Sequence, residues 1–129
     1  MSDKVEYQME VEVKSSINVL YNMISTPSGL SEWFADNVNI KKDVFTFIWD
    51  GSEESARMLS KKKSEFVKFQ WMEDVEANIK SFFQIRIKID ELTNDVALII
   101  TDYAEEDEIE EAKLLWENQI SDLKKVIGS

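Results

Sequence analysis

Residues 105–127 read EEDEIEEAKLLWENQISDLKKVI, and this stretch decides the fold that the whole sequence predicts. Its apolar side chains recur every three or four positions, the spacing that places them on one face of a helix. They are Ile109, Ala112, Trp116, Ile120, Leu123 and Ile127. The spacing predicts one amphipathic helix over residues 105–127, about 34 Å long at roughly 1.5 Å per residue. A helix of that length needs an apolar surface to cover.

The start of this predicted helix is acidic. Six of the seven residues in 105–111 are Asp or Glu, which suits the positive end of the helix dipole, and Lys124 and Lys125 lie near the negative end. The run lacks the glycine and the alternating acidic spacing of a calcium loop. We therefore predict a solvated helix N-terminus and no metal site there.

The residues before this helix are predicted to supply that apolar surface, because apolar and polar residues alternate along them as they do in β-strands. From Val5 to Val13 every second residue is apolar, the pattern of a half-buried antiparallel strand. About six further strands are predicted from residue 37 onward. They include 44–49, 53–61, 66–71, 82–89 and 96–103, with a two-residue hairpin turn at Asp50-Gly51. The strand at 53–61 has a weak pattern, and the sequence does not assign its faces.

Two short helices are predicted between the first and second strands. Ser15 or Ser16 can cap the first of them. Thr26 is a suitable N-cap for the second, with Pro27 at its first helical position. This second helix is predicted to end near residues 33–34.

The predicted order is thus a strand, two short helices, about six further strands and a long helix. Consecutive strands joined by tight turns favour an antiparallel sheet. We predict an α+β fold in which the long helix lies across the apolar face of an antiparallel sheet of about seven strands. A chain of 129 residues has the size of one domain, so residues 1–129 are expected to form a single domain.

The composition removes several classes of function. The chain has no histidine and no cysteine, which excludes Ser-His-Asp and Cys-His catalysis, zinc-type sites and disulfides. With only three glycines, phosphate-binding glycine loops are missing. The net charge of −11 opposes nucleic-acid binding. We predict no cofactor and no metal, and any catalysis would rest on Asp, Glu, Tyr, Lys or Arg.

The sequence also bears on location. The N-terminus lacks the apolar core of a signal peptide, and no stretch approaches the ~20 apolar residues that a membrane span needs. With cysteine absent, a cytoplasmic location without membrane insertion is expected. The oligomeric state is not indicated by any pattern in the chain.

Three stretches resemble a known family: TPSGLSEWFADNV at 26–38, FTFIWDG at 45–51 and WENQISDLK at 116–124. With the element order, they resemble the helix-grip fold of START-like and pollen-allergen-type domains, in which a curved antiparallel sheet wraps a long C-terminal helix. Within that superfamily the chain looks most like bacterial domains related to activators of the heat-shock chaperone ATPase. The resemblance implies a cavity between sheet and helix, often used for lipids, polyketides, hormones or other apolar small molecules.

The resemblance leaves three functions open. The first, which we expect, is non-enzymatic binding of an apolar small molecule, either a lipid or an aromatic metabolite, in that cavity. The second is a protein-interaction module with a protein partner, as in the chaperone-activating relatives. The third is a cyclase-like enzyme that uses carboxylate or Tyr acid/base groups. No position matches a catalytic motif of the family, so no catalytic residue is predicted.

The candidate ligand-binding residues are mostly aromatic. They are Trp33, Phe45, Phe47, Trp49, Arg57, Phe69, Trp71, Phe83, Ile85, Trp116 and Ile120. Large rings on a curved sheet could line a pocket, since ligand pockets are mostly apolar with a few polar groups that fix orientation. The alternative is that the same side chains interdigitate as core. Arg57 is the polar candidate, because a buried arginine would need an anionic partner, but it lies in the strand whose faces are unassigned.

Overall fold

The computed structural model describes residues 4–128; residues 1–3 and 129, which the predicted domain 1–129 includes, lie outside the described part. Seven strands form one antiparallel sheet in the order β1-β7-β6-β5-β4-β3-β2. They are β1 (Lys4–Glu12), β2 (Asn37–Lys41), β3 (Val44–Trp49), β4 (Ser52–Lys62), β5 (Phe66–Trp71), β6 (Phe83–Ile89) and β7 (Val96–Glu105). Strands β2 to β7 are neighbours in chain order, and β1 pairs with β7.

Within the described residues, four helices accompany the sheet. They are α1 (Ile17–Ser25), α2 (Pro27–Leu30), α3 (Met72–Glu76) and α4 (Ile109–Ile127), with a 3₁₀ turn at Glu106–Glu108. The predicted α+β helix-grip fold is confirmed: a curved seven-stranded antiparallel sheet, two short helices after β1 and a long C-terminal helix. Helix α3 was not predicted, because five residues are too few to show a helical repeat. Within residues 4–128 no helix is both long and apolar enough to span a membrane.

One face of the sheet carries the core. Alternate side chains of β3, β5 and β6 point to that face. Its largest fully buried side chains are Phe45, Phe47, Phe69 and Phe83, all at most 2% exposed. Phe69 stands edge-on to Phe45 with the ring centroids 5.2 Å apart, and it stacks on Phe83 at 5.1 Å. The rings therefore fill much of the space beneath the helices as a packed aromatic layer.

Helix α4 covers this layer with the predicted stripe. Trp116, Ile120 and Leu123 are its buried residues. The helix ends at Ile127, and Gly128 follows with φ 73° and donates its N–H to the Lys124 carbonyl. That left-handed residue is the usual place for glycine at a helix C-terminus.

The predicted start of this helix is wrong by four residues. Glu105 is the last residue of β7 and pairs with Lys4 of β1, and α4 begins only at Ile109. Pairing with the first strand holds the backbone of Glu105 extended, at φ −65° and ψ 146°. A local helical repeat does not reveal a pairing with residues so distant in the chain. The acidic run therefore spans a strand end, a 3₁₀ turn and a helix start.

Helices α1 and α2 begin at predicted caps. Ser16 Oγ accepts from the backbone N–H of Val19 (3.2 Å), and Thr26 Oγ1 accepts from the backbone N–H of Gly29 (2.9 Å). These bonds satisfy donors that have no partner within the helix. Pro27 occupies the first position of α2, where its missing N–H costs nothing.

The predicted end of α2, near residues 33–34, is wrong. The helix ends at Leu30, and turns follow in which the backbone N–H groups of Phe34 and Ala35 both donate to the Leu30 carbonyl (2.9 and 3.3 Å). Trp33 and Phe34 are 6% and 4% exposed. A continued helix would separate consecutive side chains by about 100°. In the turns that follow Leu30, the rings of Trp33 and Phe34 both lie in the core.

Strand β4 is the one whose faces the sequence left open. Ala56 pairs with the inward-facing Phe45 and is fully buried, which assigns the inner face. Arg57, the next residue, therefore lies on the outer face. The pairing register with β5 shifts between Met58 and Ser60. Such a bulge interrupts the alternation of a strand, and this explains the weak pattern.

Candidate functional site

A cleft of about 580 Å³ opens between α4 and one end of the sheet, where β3 and β5 end and β1 and β4 begin. Its aromatic lining consists of Phe34, Trp49, Trp71 and Trp116. Its charged lining consists of Lys4, Glu54, Glu73, Asp74, Asp102 and Asp122. Leu115, Asn118 and Gln119 of α4 also line it. The cleft thus combines flat apolar surfaces with carboxylates.

The aromatic rings of the cleft are fixed by contacts beneath and beside them. Trp71 and Trp116 both pack on the buried ring of Phe83, with centroids 5.1 and 5.9 Å away. Trp49 lies 5.9 Å from Phe34, and its Nε1–H donates to the Phe34 carbonyl (2.9 Å). Because each ring is already held, little side-chain freedom would be lost when a ligand packs on it.

Asp102 of β7 brings a carboxylate to the inner wall of the cleft. Its Oδ2 accepts from the indole Nε1–H of Trp116 (2.9 Å) and from the Tyr7 hydroxyl (3.4 Å), and its Oδ1 accepts from the backbone N–H of Tyr103 (2.7 Å). Burial raises the pKa of Asp102 above its ordinary value of 3.8, and the hydrogen bonds from Trp116 and Tyr103 oppose that rise. Burial and the nearby charge of Asp102 raise the pKa of Tyr7 as well.

A lysine at the rim is already neutralised. The Nζ of Lys4 lies 3.1 Å from both carboxylate oxygens of Asp74, and the Ser81 hydroxyl donates to the same carboxylate. The other carboxylates of the cleft are Glu54, Glu73, Asp102 and Asp122. Because Lys4 is the only cation among the lining residues within 4–128, the described lining carries an excess of negative charge.

The predicted site residues separate into a cleft group and a core group. Trp49, Trp71 and Trp116 line the cleft. Six others lie in the closed core at no more than 2% exposure: Phe45, Phe47, Phe69, Phe83, Ile85 and Ile120. For these six, the packed-core alternative describes the structure. Trp33 lines a neighbouring depression, and its Nε1–H donates to the Met23 carbonyl (2.9 Å).

The structure does not bring Arg57 to the cleft. It lies on the outer face of β4 opposite Gln70 of β5, and its side chain is 43% exposed. Its Nε is 3.7 Å from Asp43 Oδ2, also on the outside. Arg57 points outward because its neighbour Ala56 points inward and successive side chains of a strand face opposite sides. Arg57 therefore cannot orient a ligand held between sheet and helix.

The carboxylates of the cleft were not found by sequence reasoning. A signal existed for Asp102, because it continues the alternation of Leu98 and Ile100 in β7, both fully buried. An ionisable residue at the third position of such a series faces the core side and indicates a special role. Glu54 carried no comparable signal, since the polar residues around it leave its strand without a readable face.

A second group of carboxylates lies outside the cleft. Oxygens of Glu105, Asp107 and Glu108 lie within 4.8 Å of one another at the start of α4. A hydrogen bond with the side chain of Glu105, together with its charge, raises the pKa of Glu108. The cluster is mostly exposed to solvent. We assign no metal or cofactor to it.

Comparison with known proteins gives one family and several similar structures. The family model described as a START-like superfamily domain matches residues 1–129. A Bacteroides fragilis protein solved by NMR is 34% identical, with 97% of this chain and 90% of that chain covered and a TM-score of 0.64. The chain matches no curated protein.

Two further structures are similar in fold. The Aha1 dimer from Colwellia psychrerythraea is 16% identical, with 95% of this chain and 96% of that chain covered and a TM-score of 0.79. An X-ray structure of a Mesorhizobium loti protein is 13% identical, with coverage of 96% and 97% and a TM-score of 0.75. At these identities the likeness concerns the fold alone.

Proposed function

The chain belongs to the START-like superfamily, and on that premise we propose that it binds a small molecule with an apolar body in the cleft between α4 and the sheet. Domains of this superfamily typically bind hydrophobic ligands or mediate interactions. The observation that carries the proposal is the cleft of about 580 Å³ with four aromatic side chains in its lining. Pockets for small ligands commonly measure about 300–1,000 Å³.

The proposed role is binding without chemistry. The chain has neither histidine nor cysteine, the residues that most often act as general base and nucleophile. The aromatic rings offer contact area, and water displaced from them would contribute about 25 cal/mol per Å² of apolar surface buried. A flat aromatic or short aliphatic body could pack on the cleft side of Trp71 and Trp116, both of which rest on Phe83.

A thermal-shift screen of apolar compounds tests the proposal. A ligand that binds only the folded protein at 100 times its Kd stabilises it by about 2.7 kcal/mol. Leu115 lines the cleft and is 63% exposed, so Leu115→Trp should narrow the cleft without disturbing the core. The matched control is Leu114→Trp, because Leu114 is 57% exposed and is not among the lining residues.

We expect at least one compound to raise the melting temperature of the wild type and of Leu114→Trp equally, and to raise that of Leu115→Trp less. A screen of fatty acids, amines and aromatic metabolites without any shift would contradict the proposal. Equal shifts in Leu115→Trp and the wild type would contradict it as well, since the ligand would then lie elsewhere.

Acid–base catalysis is a second candidate function, and one observation favours it. Asp102 lines the cleft with a raised pKa, the property of a carboxyl group poised to give or take a proton. Mass spectrometry of a metabolite extract before and after incubation separates the two roles. An enzyme would consume a compound in a manner that Asp102→Asn abolishes, whereas a binding protein would retain a compound of unchanged mass.

A further inference from the structure

We propose that the ligand of this cleft is a cation: an organic amine or quaternary ammonium compound whose apolar body lies on the tryptophan rings and whose charge faces the carboxylates. This inference rests on the proposed function and deepens it, because it names the chemical class of the ligand. Three features of the cleft carry it: its charge balance, the surroundings of Asp102 and the aromatic rings beside the carboxylates.

The first feature is the excess of negative over positive side chains in the lining of the cleft. The lining holds five carboxylates and one lysine, and Lys4 is matched by Asp74 at 3.1 Å. Among residues 4–128, the ion pairs formed by Lys and Arg involve none of Glu54, Asp102 and Asp122. A positively charged ligand would therefore meet carboxylates that are not held in an ion pair, whereas a fatty acid or a phosphate group would meet repulsion.

Asp102 gives the second reason. Its hydrogen-bond donors are the Trp116 indole, the Tyr7 hydroxyl and the Tyr103 backbone, and all three are neutral. A carboxylate removed from water is costly unless a positive charge compensates it. The charge of Lys4 lowers the pKa of Asp102 from a distance, but Lys4 forms its ion pair with Asp74, and among the described residues no Lys or Arg forms an ion pair with Asp102. An ammonium group in the cleft would form that ion pair.

The third feature is the set of aromatic rings beside the carboxylates. Trp49, Trp71 and Trp116 stand in the same lining as the carboxylates. The face of an indole attracts a cation within about 6 Å of the ring centre, and this attraction grows when water is displaced. Rings and carboxylates together favour a charged ligand with an apolar body over a neutral compound of the same shape.

Three compounds with one phenylbutyl body and different charges test the inference. They are 4-phenylbutylamine, 4-phenyl-1-butanol and 5-phenylpentanoate, titrated into the protein at low salt and neutral pH by calorimetry. We expect the amine to bind at least about tenfold more tightly than the alcohol, and the carboxylate to be weaker still.

Equal affinity of the amine and the alcohol would overturn the inference while leaving the proposed function intact. Tighter binding of the carboxylate would overturn it too, as would a lack of binding by the amine. The thermal-shift screen tests the proposed function itself. That function is contradicted if no compound raises the melting temperature, or if Leu115→Trp responds as strongly as the wild type.

A pair of adjacent substitutions separates local charge from net charge. Glu54 pairs with the inward-facing Phe47 and lines the cleft, whereas Glu53 pairs with Ile48 and points to the other face. Both glutamates are exposed, so both variants should fold. Glu54→Gln should weaken the amine several-fold and leave the alcohol unchanged, and Glu53→Gln should change neither. Equal weakening by both substitutions would overturn the inference.

Discussion

At the scale of single residues, the contact between Trp116 and Asp102 links the helix to the sheet. The Trp116 indole stands in the apolar stripe of α4, and its Nε1–H donates to the carboxylate of β7 (2.9 Å). The same two side chains line the cleft. One hydrogen bond therefore serves both the packing of the helix and the shape of the candidate site.

Trp116→Phe should destabilise the protein by about 1–3 kcal/mol, because it keeps an aromatic ring but leaves the partly buried carboxylate of Asp102 without its indole donor. Urea denaturation at neutral pH measures the free energy of unfolding. In an Asp102→Asn background the same substitution should cost less, since no buried charge is left behind. Strictly additive effects of the two substitutions would contradict this coupling.

The carboxyl group of Asp102 should titrate above its ordinary pKa of 3.8, because burial disfavours the charged form. The folded protein then holds this proton more tightly than the unfolded chain. The contribution of Asp102 to the free energy of unfolding is therefore greatest at low pH and falls as pH rises from about 3.8 through the folded pKa.

Carbon-13 NMR of the aspartate carboxyl groups measures this directly. Asp90 is the internal comparison, because backbone N–H groups of Leu92 and Thr93 lower its pKa. Asp102 should titrate above 3.8 and Asp90 below it. If the pKa of Asp102 were at or below that of Asp90, burial would not be the dominant influence on Asp102, which would contradict this prediction.

At the scale of elements, the contact between α1 and α2 depends on one glycine. A Cβ at Gly29 would lie 2.7 Å from the Met23 Cα and closer still to the Asn22 carbonyl oxygen. These are backbone atoms of α1, so a rotamer change cannot relieve the contact. The two helices approach this closely only because Gly29 has no side chain.

Gly29→Ala should therefore destabilise the protein by about 1–3 kcal/mol, as overpacking of a closed contact does. The control is Ser28→Ala, because Ser28 is exposed and precedes it in the same helix. Both are measured by thermal and urea unfolding. A Gly29→Ala variant as stable as Ser28→Ala would contradict the close helix contact.

The sequence predicted those elements whose pattern is local. The stripe of Trp116, Ile120 and Leu123 and the alternation of the strands follow from periodicity alone. Features set by pairing with distant residues were not predictable in this way. The extended backbone of Glu105 depends on Lys4, and the outward direction of Arg57 depends on the register between β3 and β4.

At the scale of the whole molecule, position along the sheet decides which aromatic residues reach the cleft. Phe47 and Trp49 alternate onto the same face of β3, yet Phe47 is fully buried and Trp49 lines the cleft at the end of the strand. Periodicity gives the face of a residue but not its distance from the end of the sheet. The predicted set therefore combined core and cleft residues.

Mapping a bound ligand onto the four tryptophans tests the central claim most directly. Nitrogen-15 NMR resolves each indole N–H during a titration with 4-phenylbutylamine. The signals of Trp49, Trp71 and Trp116 should shift, while that of Trp33, which donates to the Met23 carbonyl outside this cleft, should stay in place. A titration that moves Trp33 and leaves the other three unchanged, or that moves none of the four, would contradict a ligand site between α4 and the sheet.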